Sequence, residues 1–117
     1  MDPFDSGIPR PELHIERDCA AGGVTRLAVA GEVDMTTGEQ FERTLIGTLD
    51  EPGVTRLLLD MAPLRFIDSN GVAVLVKARR TADEHGIAFG LVNARGVVRS
   101  VLEMLGVYEM LAAERGR

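Results

Sequence analysis

The chain has 117 residues, with 45% hydrophobic and 26% charged side chains, which is globular composition at the length of one domain. A domain of this size buries roughly two thirds of the surface its unfolded chain exposes, so neither a metal nor a disulfide staple is required. Thirteen basic against eighteen acidic side chains give a net charge of −5, which argues against nucleic acid or an anionic membrane surface as partner, since both call for clustered Lys and Arg.

Residues 1–11 carry three of the five prolines and few core candidates, and they read as a flexible leader. Leu13 and Ile15 then alternate with polar neighbours, Ala20–Gly23 supply a turn, and Leu27 and Val29 resume the alternation, which predicts a β-hairpin. After Asp34 the period changes. Phe41, Leu45 and Leu49 fall on one helical face, Thr37 and Gln40 have the spacing of a capping box, and Pro52 and Gly53 stop the helix. Leu57 to Leu59 form the continuous apolar run of a strand covered on both faces, and after it Phe66 and Ile67 bring the chain back to the core.

A second helix is bounded by Asp68 or Ser69 and by Gly86, with Val72, Leu75, Val76 and Ala82 inward and Lys77, Arg79, Arg80, Asp83 and Glu84 in wetter turns. A short strand follows from Ile87. Val97, Val98, Val101, Leu102 and Leu105 trace a third helical stripe closed by Gly106 as a left-handed cap, and the end holds one short strand or helical turn before a frayed tail at 112–117. Two strand–helix–strand units, 24–60 and 54–92, predict an α/β domain over residues 12–111. Its sheet is mixed and mostly parallel, with an antiparallel N-terminal edge strand and helices packed on it.

Several chemistries lack their residues. The two histidines, His14 and His85, have no metal-ligand spacing; no Gly-rich phosphate loop occurs; and I-D-S-N-G replaces the G-x-S-x-G of a hydrolase elbow. His85 reads as a surface residue favoured by a helix C-terminus. No catalytic residue, metal or cofactor is assigned. The single Cys19 has no internal partner, the longest apolar stretch, Val72 to Val76, is too short to span a bilayer, and the acidic, Pro-rich opening is unlike a signal peptide. A cytoplasmic protein with no membrane partner is therefore expected.

The segment that carries chemistry is LRFIDSNGVAVLVKA, residues 64–78. Asp68, Ser69 and Asn70 sit where a helix begins, and such residues cap the orphan N–H groups of a first turn. The same N–H groups and the positive end of the helix dipole favour an anion, so a phosphate on Ser69 would be tolerated there while adding about −1.5 to −2 charges. Both readings, cap and switch, fit the spacing.

The order of elements, with Gly31-Glu32-Val33-Asp34, Leu57-Leu58-Leu59-Asp60 and Phe66-Ile67-Asp68-Ser69-Asn70-Gly71-Val72, resembles the STAS-domain anti-sigma factor antagonists over about residues 12–111. The resemblance implies a non-enzymatic binding protein that competes with a sigma factor for an anti-sigma factor that is itself a serine kinase. It implies Ser69 as phosphoacceptor and a partner surface of Asp34, Thr36, Asp68, Ser69, Asn70 and Gly71, with a serine phosphatase resetting the phosphorylated form. Asn70 stands where the family commonly has a second Ser or Thr. A ligand-sensing or scaffold STAS module, binding a nucleotide or metabolite at the same loop, is the alternative; an enzyme with Ser69 as nucleophile would lack a nearby base.

Overall fold

The computed structural model describes residues 12–113. Its spine is β2 (Val24–Val33), in which Thr25, Leu27, Val29, Gly31 and Val33 are buried and every intervening residue is half-buried. That strict alternation belongs to a strand with one face on the core. β1 (Leu13–Cys19) pairs with it antiparallel from Leu13↔Gly31 to Cys19↔Thr25, across a single 3-10 turn at Ala21–Gly23. The other flank of β2 is shared by two strands end to end. β3 (Arg56–Asp60) pairs parallel with residues 24–28, and β4 (Leu64–Ile67) pairs parallel with residues 31–33 after an irregularity between Gly31 and Glu32. β5 (Ala88–Val92) adds parallel to β3, giving the order β1-β2-β3-β5 with β4 on β2. The sheet is thus mixed and mostly parallel, with the antiparallel strand at its edge.

Two helices, α1 (Gly38–Leu49) and α2 (Ser69–His85), pack on each other and on the buried face of the sheet. α1 buries Phe41, Leu45, Thr48 and Leu49. α2 ends at Gly86 in the left-handed conformation, and His85 approaches the α1 terminus, with Nδ1 3.1 Å from the Leu49 carbonyl oxygen. α3 (Gly96–Met104) lies against β4, and the four-residue α4 (Tyr108–Leu111) follows a left-handed Gly106.

Five local expectations change. Leu58 is only half-buried because the helices cover one face of β3 and not both. β4 is a strand of its own whose Phe66 pairs with Glu32 and stays exposed, while Leu64 and Ile67 enter the core. In α2 the inward residues include Val74 and Ala78, and Val76 is half-buried, because α2 must cover α1 as well as the sheet. In α3 only Val98 and Leu102 are buried, whereas Val97 and the C-cap residue Leu105 are exposed; a nine-residue helix packed on the short β4 needs a narrow stripe. At the end, Ala112 bridges Leu91 and the Ala113 N–H donates to the Leu91 carbonyl, so these two residues are held. The leader at 1–11 and the remainder of the tail, 114–117, lie outside the described residues.

Asp60, the last residue of β3, ties β2 to the segments that follow β3 and β5. Its carboxylate accepts from Arg26 of β2 at 2.9 Å, from the Ala62 N–H at 3.1 Å and from the Asn93 amide at 3.1 Å. Burial pushes this carboxyl upward, but those three donors together outweigh it and hold it below its ordinary value. A carboxyl lowered in the folded state stabilises the fold above its unfolded pKa and loses that contribution as pH falls through the folded one. Asp60→Asn should therefore be less stable than the wild type at neutral pH, with the gap closing below about pH 4, as urea titrations across pH would record.

Candidate functional site

The parallel register sets Val33 opposite Ile67, so Asp34 and Asp68 leave the sheet side by side at the C-terminal ends of β2 and β4. The Asp68 N–H donates to the Val33 carbonyl at 3.0 Å and locks the two exits together. Gly31 has a structural task in this arrangement. Its φ is +106°, and a Cβ there would stand 2.1 Å from the Glu12 carbonyl oxygen, so the approach of β1 to β2 requires glycine. Glu32 pairs with Arg65 of β4, with Nε at 3.0 Å from the carboxylate.

Asp34 builds a closed turn. Its Oδ1 accepts from the Thr36 N–H at 2.8 Å, the Thr36 hydroxyl at 2.7 Å and the Thr37 N–H at 3.3 Å. Its own N–H donates to the Thr37 hydroxyl oxygen, and that hydroxyl donates to the Glu32 carbonyl. The Thr36 hydroxyl, followed by the Thr36 and Thr37 N–H groups, holds the Asp34 carboxyl below its ordinary value. The capping box does not form. Thr37 makes no side-chain cap bond because its hydroxyl is used within the turn, and the Gln40 amide donates instead to the Leu13 carbonyl at 3.1 Å.

At α2 the cap belongs to Asp68, whose Oδ1 accepts from the Gly71 N–H at 2.9 Å and whose carbonyl accepts from the Val72 N–H. Ser69 and Asn70 are exposed on the first turn. Gly71 is buried: a Cβ would lie 2.6 Å from both Val33 Cγ1 and Ile67 Cγ1, so it sets how closely α2 approaches the sheet and offers no side chain to a partner. Asp34, Thr36, Asp68, Ser69 and Asn70 therefore gather at one end of the molecule, with Gly71 beneath them. Sequence reasoning missed Met35, which is 81% exposed in the middle of the turn; an apolar residue wedged between Asp34 and Thr36 was the available signal. Among the described residues no group of three or more His, Cys, Asp or Glu side chains could hold a metal, and no helix is long and apolar enough to cross a membrane.

A model of the STAS domain matches residues 19–115. The chain belongs to the STAS domain family. Among solved structures, this STAS domain is similar to an anti-sigma factor antagonist from Mycobacterium paratuberculosis, with a TM-score of 0.76 and 20% identity over 86% of this chain and 83% of that one. It is also similar to the anti-sigma factor antagonist SpoIIAA in its unphosphorylated form, with a TM-score of 0.73 and 20% identity over 87% and 90%. The murine Slc26a9 anion transporter contains a region with a TM-score of 0.65 and 27% identity, covering 75% of this chain and 14% of the transporter. The antagonists share the fold of this chain, and the transporter shows the same fold inside a larger protein.

The division of labour between Asp68 and Ser69 is directly measurable. Asp68→Ala should cost about 0.5–2 kcal/mol by removing the cap of α2. Ser69→Ala should stay within about 0.5 kcal/mol of the wild type, since its side chain caps nothing. Urea denaturation of the two variants separates these outcomes.

Proposed function

We propose that this STAS domain is an anti-sigma factor antagonist, a binding protein rather than an enzyme. It docks on a serine-kinase anti-sigma factor through the end of the sheet formed by Asp34, Thr36, Asp68, Ser69 and Asn70, and thereby frees a sigma factor. Phosphorylation of Ser69 by that kinase ends the contact, and a serine phosphatase restores it. The observation that carries this reading is the exposed Ser69 on the first turn of a helix already capped by Asp68, beside the Asp34 turn.

That placement suits a phosphate. Asp68 occupies the Gly71 and Val72 N–H groups, which leaves the Ser69 and Asn70 N–H groups at the helix start to face an anion. The domain can then carry the phosphate folded, while a closely packed partner would have to strip its water and accommodate its bulk. Loss of several kcal/mol at the interface follows, and about 1.4 kcal/mol already changes affinity tenfold. The likeness to a region of an anion transporter favours a second reading, a scaffold or ligand-sensing STAS module. A small molecule that co-purifies with the protein, and no kinase partner, would be its mark.

Incubation with ATP and the anti-sigma kinase should add one phosphate, located at Ser69 by intact and peptide mass. Ser69→Ala should bind the kinase with wild-type affinity and resist release. Amide shifts on phosphorylation should be confined to the α2 start and adjacent loops. Phosphorylation and release of the Ser69→Ala variant would move the switch elsewhere, and shifts spread across residues 87–105 would replace local exclusion by a rearrangement.

A further inference from the structure

The turn after β2 divides its residues between two tasks. Asp34 and Thr36 direct their polar atoms into the turn itself, where Oδ1 of Asp34 accepts three hydrogen bonds, one of them from the Thr36 hydroxyl. Met35, held between them, is turned outward and is 81% exposed. It lines a groove between the first turns of α1 and α2, together with Gly38, Asn70, Ala73 and Val74. Gly38 and Ala73 are small, and no atom lies within 4 Å of where a Gly38 Cβ would stand, so the floor beside Met35 is open. An exposed, unbranched thioether on a rigid turn is the kind of side chain that moulds to an apolar partner.

We infer that Met35 is the anchor contact for the anti-sigma partner, that the groove between α1 and α2 takes an apolar side chain from it, and that Asp34 is a positioning residue that presents Met35. This rests on the proposed antagonist function and extends its interface from the Ser69 end into the groove, which Asn70 lines. The rim also states the partner's charge. Asp34, Glu39 and Glu42 line the groove against one cation, Lys77, which is already paired with Glu42 at 2.6 Å. The segment that enters therefore carries an apolar side chain with a basic neighbour. A phosphate on Ser69, next to Asn70 in the chain, would add bulk beside that lining.

The test titrates a purified serine-kinase anti-sigma factor with the unphosphorylated full chain and four variants. Met35→Ser should weaken binding at least about tenfold, as truncation of an anchor does, while Met35→Leu stays within about threefold of the wild type. Asp34→Asn keeps an oxygen able to accept the same N–H bonds and gives up only its share of the rim charge, so it should weaken binding clearly less than Asp34→Ala, which loosens the turn as well. Equal loss in Asp34→Asn and Asp34→Ala would assign the carboxylate a direct charged contact and overturn the positioning role. Wild-type affinity in Met35→Ser would overturn the anchor while leaving the antagonist reading intact. Failure of the wild type to bind would defeat that reading and the anchor with it. Melting temperatures of all four variants, within a few degrees of the wild type, are expected to separate contact loss from unfolding.

Discussion

The candidate site depends on the parallel pairing of β2 with β4, fixed at its last step by the Asp68 N–H donating to the Val33 carbonyl. Neither the Asp34 turn nor the start of α2 would have a defined position without it. Two segments far apart in sequence become neighbours because their strands lie in adjacent tracks and end together. A one-residue slip in that register would turn Val33 and Ile67 away from the core. Burial of both side chains makes such a slip costly, at about 1.5–3 kcal/mol for each exposed side chain, so the hydrophobic core holds the polar site in place.

Packing then fixes the helix on the strands. With Gly71 against Val33 and Ile67, α2 sits closer to the sheet than any side chain at that position would allow without displacing one of them. Asp68 completes the joint from the polar side: its N–H is bound to β2, its carbonyl to Val72 and its carboxylate to Gly71. Ser69 consequently stands on a rigid base while its own side chain remains exposed. A phosphate added there would change surface chemistry more than conformation, because the groups that hold the helix start are on the residues either side of it.

The fold was legible where apolar periodicity was long and one-sided. β2 alternates over ten residues, and Phe41, Leu45 and Leu49 all reach the core as spacing predicted. Legibility failed where tertiary partners decide burial. Val97 and Leu105 continue an apolar stripe that α3 does not use, since its packing on β4 buries only Val98 and Leu102. The capping box at Thr37 and Gln40 is locally sound, yet Thr37 serves the turn and Gln40 reaches β1, which no local rule could show. At the site, the motifs pointed to two segments whose ends the parallel register brings together. They could not separate residues that face outward from those that hold the scaffold: Gly71, read as part of a partner surface, is buried, and Met35, which no motif marked, is exposed.

Asp34 and Asp68 show why such a line is hard to draw from sequence. Both are exposed enough to read as contact residues, and both commit an oxygen to backbone N–H groups of the following turn. A carboxylate used in this way contributes to the surface a fixed negative charge, stationary because its hydrogen bonds orient it. Side chains that are free to move lose rotamer entropy on docking, whereas ones already held do not. Two aspartates at the ends of neighbouring strands therefore make a small surface whose shape is set before any partner arrives. The proposed switch depends on that preorganisation: a single added phosphate can reverse a contact only if the surface around it cannot rearrange to accept both the phosphate and the partner.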